Sequence, residues 1–184
     1  MKFRTEDSAL LIYDMTENRV TPGERRFSKK AVEGMPRLVK LVERCRERGV
    51  PVCHAISART LGQVEICRAL APAAEDKVLV HPKTGAFHDT DLEAWLRKGK
   101  RSSLLLTGIA LDYGVSSTAR EALTLGIHPV LVLGACYAYD IVNTPVGTVG
   151  KEELERAHLA SLSFMGASVI PIQEIITALE GKKS

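Results

Sequence analysis

The sequence has 184 residues, of which 45% are hydrophobic and 26% are charged, and its net charge is +3. This length favours one compact domain over residues 1–184. Acidic residues interrupt the basic ones, which argues against a nucleic-acid surface, and the apolar runs are too short to span a bilayer. Because the N-terminus also lacks a signal-peptide pattern, we expect a cytoplasmic protein that binds neither nucleic acid nor membrane.

Six short apolar runs alternate with segments of helical period. The runs are Ala9–Tyr13, Val50–Ile56, Lys77–His81, Ser103–Thr107, Pro129–Leu133 and Ser168–Ile172. Because they are apolar on both faces, they predict a doubly wound, Rossmann-like α/β fold with a six-stranded parallel sheet and helices on both faces. The strand order that we assume from this fold class is 3-2-1-4-5-6.

The helices are predicted from three- and four-residue apolar spacing. The first carries Val32, Met35, Val39, Val42 and Cys45 on one face and stops at Gly49. Pro36 leaves its start open, because proline is tolerated in the first turn of a helix and not in its interior. Thr90–Glu93 predicts a capping box before a helix that carries Leu92, Trp95 and Leu96. Further helices are predicted at Val115–Leu125, Lys151–Met165 and Gln173–Leu179.

Two features remain outside these elements. The segment Gly134–Gly150 is predicted to be irregular, and a loop of this length is expected to cover a site or a neighbouring subunit. The four cysteines, Cys45, Cys53, Cys67 and Cys136, lack the paired spacing of a zinc or dithiol site, so we expect buried free thiols.

Polar residues follow three of the predicted strands. Asp14 follows the first strand, Lys83 follows the third, and Gly108–Gly114 follows the fourth. The carboxyl ends of parallel strands lie at one edge of the sheet, where ligands bind in open α/β folds. Asp14 can act there as an acid or base, or it can simply cap the turn after its strand.

These segments together resemble the isochorismatase-like hydrolase family of the cysteine hydrolase superfamily. The resemblance rests on Leu10–Met15, on Pro82–Lys83 with Ala86–Phe87 and Thr90–Leu92, and on Thr107–Ala110 through Thr118–Ala122. Most members of that family use an aspartate, a lysine and a cysteine, and the resemblance assigns the first two to Asp14 and Lys83. The cysteine falls on Gly114, which has no side chain and cannot form an acyl-enzyme.

The isochorismatases proper look similar at this position, because they also carry glycine and hydrolyse a vinyl ether without a covalent intermediate. The resemblance therefore implies that Asp14 donates a proton and that Lys83 positions it or stabilises charge nearby. Two departures argue against a simple transfer of that activity. Asp112 stands where isochorismatases usually have histidine, and Thr16–Arg19 differs from their glutamine-containing pattern.

The resemblance also implies further site features. It places an unusual cis peptide near Ile109–Ala110, and backbone N–H groups of Ala110–Gly114 as an anion pocket. The residues expected to contact substrate are Phe87, Ile109, Ala110, Asp112, Tyr113 and Tyr137. His54 lacks the neighbouring ligands of the metal-binding members, so neither a metal nor a cofactor is predicted. His81 and His88 lie near enough to face the crevice, although loop histidines are more often solvated or structural.

We therefore expect a cofactor-independent hydrolase that acts on a small polar substrate through Asp14 and Lys83, with vinyl-ether hydrolysis as one possibility. Relatives usually form homo-oligomers, so a dimer or tetramer is expected. Two alternatives stay open at this point. Either the chain is an inactive family member that binds a small molecule or a protein, or Cys136 serves as a displaced nucleophile.

Overall fold

The computed structural model describes residues 4–59 and 62–181. The strands are β1 (Ser8–Tyr13), β2 (Val52–Ser57), β3 (Lys77–His81), β4 (Ser103–Ile109), β5 (His128–Tyr137), β6 (Ile141–Thr144), β7 (Gly147–Val149) and β8 (Ser168–Pro171). Six of them form a parallel sheet in the order β3-β2-β1-β4-β5-β8, which confirms the predicted fold and strand order. The order reverses between β1 and β4, so the crevice between these strands is the expected binding place.

Helices cover both faces of this sheet. They are α1 (Glu17–Val20), α2 (Lys29–Glu47), α3 (Leu92–Lys98), α4 (Ser116–Thr124), α5 (Lys151–Phe164) and α6 (Ile172–Leu179). A π-helical turn at Leu111–Val115 joins β4 to α4. No helix in residues 4–59 or 62–181 has the length and apolar character that a bilayer span requires.

Strand β1 shows how the apolar runs build two cores. Its side chains alternate between the faces of the sheet, as the two-residue period of a strand requires. Leu10 and Ile12 pack in the core that α2 and α6 cover. Leu11 and Tyr13 pack in the opposite core with residues of α3, α4 and α5. Burial of each such leucine contributes roughly 1.5–3 kcal/mol, so a strand that is apolar on both faces is stable only between two helical layers.

Helix α2 differs from its prediction in start and in face. Ser28 caps it by accepting a hydrogen bond from the Ala31 N–H at 3.2 Å, so Pro36 lies in the helix interior and not in its first turn. Val32 is 40% exposed, because the buried stripe is rotated toward Leu38 and Leu41. Val42 and Cys45 are buried as predicted.

Two local predictions are wrong for reasons of hydrogen bonding. The Thr90 hydroxyl donates to the Ala86 carbonyl at 2.6 Å and accepts from the Leu92 N–H at 3.3 Å, while Glu93 pairs with Arg97. The predicted capping box is therefore not formed. The segment Gly134–Gly150 is not an irregular loop, because β5 continues to Tyr137 and β6 pairs with β7 as an antiparallel hairpin.

Candidate active site

A cavity of about 950 Å³ opens at the carboxyl ends of β1, β3 and β4, and Asp14 lies in its wall. Asp14 has a φ of 47°, in the left-handed region that aspartate tolerates better than most residues. This turn lets its N–H donate to the Ala55 carbonyl at 2.8 Å, while its Oδ1 accepts from the Ser57 N–H at 2.8 Å. The carboxyl group is thus fixed by the backbone of β2 and is only 7% exposed.

The side chain that lies beside Asp14 is His81, the last residue of β3. Its Nε2 is 3.6 Å from Asp14 Oδ1, and the residue is 1% exposed. Its Nδ1 lies 2.7 Å from the backbone carbonyl of Lys83. A carbonyl can only accept a hydrogen bond, so Nδ1 carries a proton and Nε2 is the nitrogen that titrates next to Asp14.

The surroundings of His81 act on its pKa in opposite directions. Burial lowers the pKa of His81, but the Asp14 carboxylate and the Lys83 carbonyl raise it more, so the net pKa lies above its ordinary value. The imidazolium is therefore favoured when Asp14 is ionised. Asp14 and His81 therefore form a buried ion pair at the cavity wall, with Nε2 too far from Oδ1 for a direct hydrogen bond.

Lys83 lines the same cavity but is exposed. Among residues 4–59 and 62–181, the ion pair of Asp14 is with His81, so the pairing assigned to Lys83 falls on His81. The strand pattern contains the signal that was missed. In β3 only Leu79 and His81 are buried, and this two-residue alternation directs His81 inward, whereas Lys83 follows in the loop.

The predicted nucleophile position, Gly114, is buried against the ring of Tyr13. A Cβ atom at position 114 would lie 2.0 Å from Tyr13 Cζ and 2.1 Å from its hydroxyl oxygen. The ring is held there, because its hydroxyl donates to the Thr84 carbonyl at 2.5 Å and its centroid is 4.7 Å from that of His81. The space that a cysteine side chain would need is filled by a phenol.

Tyr13 does not offer a substitute nucleophile. Burial, followed by the negative charge of Asp14, raises the pKa of the Tyr13 phenol far above its usual value. The hydroxyl therefore stays protonated, and its proton is engaged by the Thr84 carbonyl.

Four of the predicted substrate contacts line the cavity, namely Ile109, Ala110, Asp112 and Tyr113. The Ile109–Ala110 peptide bond is cis, as the resemblance implied. The predicted anion pocket is partly closed, because the Tyr113 N–H donates internally to the Ala110 carbonyl at 3.2 Å. The Tyr113 hydroxyl accepts from Thr84 at 3.2 Å.

The structure does not bring the other predicted aromatic residues to this cavity. Phe87 is buried in the core, and its N–H donates to Glu121 at 3.0 Å. Tyr137 is buried on the opposite side of the sheet from Tyr13 and donates to the Gly134 carbonyl at 3.1 Å. Both were predicted as pocket walls, but the cores on the two faces of the sheet take up their rings.

The cysteines are all buried and free, as predicted. Cys136 lines a separate cavity of about 510 Å³, and its thiol contacts the Leu106 carbonyl at 3.1 Å. Burial raises the pKa of Cys136 to about 12, which suppresses the thiolate. A displaced nucleophile at Cys136 is therefore incompatible with this arrangement.

The remaining histidine candidates differ in environment. His54 is buried, and its Nε2 lies 3.3 Å from the Asp76 carboxylate, whereas His88 is exposed. In the two described ranges, no three potential ligands of the His, Cys, Asp and Glu types are grouped to hold a metal ion.

Comparison with known proteins connects this geometry to a family. The isochorismatase domain family matches residues 8–174. Enterobactin synthase component B of Escherichia coli K12 is 27% identical over 154 residues, covering 72% of this chain and 53% of that protein. The chain thus spans about half the length of that relative. The secreted isochorismatase effector Isc1 of Verticillium dahliae is 24% identical over 180 residues, covering 93% of this chain and 91% of Isc1.

A solved structure shows the same fold over nearly the whole chain. The cysteine hydrolase from Pseudomonas syringae pv. phaseolicola 1448A superimposes with a TM-score of 0.91 and 20% sequence identity. The superposition covers 98% of this chain and 96% of the other. At this identity the likeness establishes the fold and leaves the chemistry to the residues of the site.

Proposed function

The chain belongs to the isochorismatase family of hydrolases, and we propose that it hydrolyses a small polar substrate by acid–base chemistry, without a covalent enzyme intermediate. The observation that carries this proposal is the pairing of Asp14 with buried His81 in a cavity whose nucleophile position is filled by Tyr13. Gly114 has no side chain that could supply the thiolate for amide cleavage. Proton transfer from the Asp14–His81 pair has its groups in place.

Vinyl-ether hydrolysis of the isochorismate type suits such a pair. The acid transfers a proton to the terminal vinyl carbon, which leaves an oxocarbenium ion. Water adds to the cationic carbon, and the proton it loses returns to the pair. The resulting hemiketal then breaks its C–O bond and releases an alcohol and a ketone. Asp14 is the proposed donor, His81 holds the proton in the resting pair, and Lys83 adds positive charge at the rim.

The first test compares substrate classes and one isosteric variant. Purified protein is incubated with vinyl ethers, including isochorismate, and with amides such as nicotinamide and ureido acids. We expect turnover of a vinyl ether and a loss of about 10²–10⁴-fold in kcat for Asp14→Asn, the contribution typical of a general acid. The matched control is Asp91→Asn on the exposed start of α3, which should keep the wild-type rate.

Three outcomes would overturn the proposal in whole or in part. Full activity in Asp14→Asn would show that Asp14 is not the general acid. Amide turnover that survives cysteine-blocking reagents would show that the substrate is not limited to vinyl ethers. If no substrate is turned over while small molecules still bind, the chain is a binding member of the family. The filled nucleophile position would then mark lost catalysis and not a different chemistry.

A further inference from the structure

The cavity around Asp14 is rich in positive charge. The basic side chains that line it are Arg19, Arg25, Arg26, Arg59 and Lys83, and the acidic ones are Asp14, Asp112 and Asp140. Asp140 is already paired with Lys151 at 3.6 Å. By contrast, none of the five basic side chains has an ion pair within the part of the chain that the structure describes. An excess of unpaired cations attracts negatively charged ligands into a cleft.

Arg19 is the exceptional member of this group, because it is only 6% exposed. It lies on α1, and its Nη1 donates to the Tyr139 hydroxyl at 3.1 Å. Its Nε is buried without an acceptor in the described structure. A buried guanidinium without a carboxylate partner is unfavourable, since its desolvation is not offset by an opposite charge.

The guanidinium is also held in place before any ligand binds. The Tyr139 hydroxyl that accepts from Arg19 donates in turn to the Arg26 carbonyl at 2.5 Å. The ring of Tyr139 lies 5.7 Å from the guanidinium carbon of Arg19. Burial raises the pKa of Tyr139 more than neighbouring Arg19 lowers it, so the hydroxyl stays protonated and keeps both bonds. A fixed guanidinium loses little freedom when an anion binds.

We infer that Arg19 binds a carboxylate group of the substrate, and hence that the substrate is an organic anion. This inference rests on the proposed function and adds its substrate class. A guanidinium matches a planar carboxylate through two parallel N–H···O bonds, and four of the five N–H groups of Arg19 are not engaged by Tyr139. Arg25, Arg26 and Arg59 are exposed around the same cavity and attract the anion from solution.

The position of Arg19 also explains how binding of the substrate carboxylate would assist the reaction. Arg19 and Asp14 belong to one short segment and line the same cavity. A substrate anchored at Arg19 is therefore presented to the Asp14–His81 pair in a restricted set of orientations. We expect Arg19 to act in binding and Asp14 in proton transfer, so the two roles can be separated by mutation.

The experiment measures binding by titration calorimetry at low salt, with malonate, succinate and benzoate as probes. The neutral amides malonamide, succinamide and benzamide are the matched controls, and inorganic phosphate is a second anion class. We expect at least one carboxylate to bind and its amide not to bind. Arg19→Gln should weaken the binding of that carboxylate by at least about 10-fold, which is the effect of losing one charged hydrogen bond. Arg19→Lys should bind with intermediate affinity, because it keeps the charge without the planar fork.

Three controls keep the result interpretable. Arg156→Gln removes an exposed arginine of α5 outside the cavity and should leave binding unchanged. If Arg19→Gln does not fold, Tyr139→Phe removes only the hydroxyl that orients the guanidinium and should still weaken binding measurably. Asp14→Asn should retain carboxylate binding while losing turnover.

The outcomes separate the two proposals. Unchanged carboxylate affinity in Arg19→Gln, equal binding of the amides, or tighter binding of phosphate than of every carboxylate would overturn the assignment of Arg19. Turnover that depends on Asp14 could still stand in each of these cases. Carboxylate binding through Arg19 without turnover of any substrate would instead remove the proposed hydrolysis and leave the anion site intact.

Discussion

The contact between Tyr13 and Gly114 makes a sharp prediction for the substitution Gly114→Ala. The added Cβ would lie 2.0, 2.1 and 2.2 Å from Tyr13 Cζ, Oη and Cε1, where unstrained carbon atoms stay about 3.5–4.0 Å apart. The backbone at Gly114 is not in the left-handed region, so an alanine there is not strained by its own φ. The whole penalty therefore comes from moving the buried ring of Tyr13.

The size of this destabilisation follows from the interactions that the Tyr13 ring loses when it moves. Displacement costs the hydrogen bond to the Thr84 carbonyl, about 1 kcal/mol, and the strain of overpacking, about 1–3 kcal/mol. Replacing glycine by alanine returns about 0.5–1 kcal/mol, because the unfolded chain loses freedom. We expect Gly114→Ala to lower the free energy of unfolding by about 1–3.5 kcal/mol.

The assay is urea denaturation of a double-mutant cycle. Tyr13→Leu removes the ring, and in that background Gly114→Ala should be neutral or stabilising, which corresponds to a coupling energy of about 2 kcal/mol or more. Gly99→Ala is the matched control, since Gly99 has a φ of −78° and its nearest neighbour to an added Cβ is at 3.4 Å. Equal and small effects of Gly114→Ala in both backgrounds would refute the claim that Tyr13 fills the nucleophile position.

Three further predictions concern titratable groups. The pKa of His81 is raised in the fold, so the stability that its charge contributes is fully present below about pH 6.5 and is lost as the pH rises through the pKa of the folded state. The difference in Tm between wild type and His81→Gln should therefore shrink over that pH interval. Burial raises the pKa of Asp76, but hydrogen bonds, led by the one from Arg46, lower it by more, so the net pKa lies below its ordinary value. The stability that ionised Asp76 contributes is therefore present above about pH 4 and is lost as the pH falls, and Asp76→Asn should lower the free energy of unfolding by about 2 kcal/mol in urea denaturation at pH 7. The Cys136 thiol, with its pKa raised to about 12, should resist iodoacetamide in native protein and react in urea, as mass spectrometry can follow; rapid native labelling would contradict its burial.

The fold could be predicted because its signals are local and repeated. Each apolar run that was identified forms a strand of the parallel sheet, and β1 shows why a run that is apolar on both faces is buried, since its alternate residues must enter two different cores. The predicted order of the strands then placed Asp14 at the reversal between β1 and β4. The position of Pro36 inside α2 was not predictable in this way, because packing of the rest of the helix overrides the preference of a single residue.

The site was harder to predict, because it depends on contacts between residues far apart in the chain. Lys83 has the expected residue type, but His81 has the inward position, and only the alternation of β3 distinguishes them. Phe87 and Tyr137 are aromatic residues near the right strand ends, yet neighbouring cores bury both. Arg19 carried no signal in the sequence, since burial of an unpaired guanidinium becomes visible only in the folded chain.

Tyr13 and Gly114 link the fold to the chemistry more closely than either residue does alone. A glycine at the nucleophile position leaves a gap that water or another side chain must fill, because protein interiors are close-packed. Tyr13 fills that gap from β1 and in doing so places its ring against His81, next to Asp14. The same ring that leaves no room for a thiol therefore also packs the Asp14–His81 pair. Restoring a cysteine at position 114 requires removal of Tyr13, and with it part of the wall that fixes the acid. A return to thiolate chemistry thus needs at least two substitutions that act together, which is the coupling that the double-mutant cycle measures.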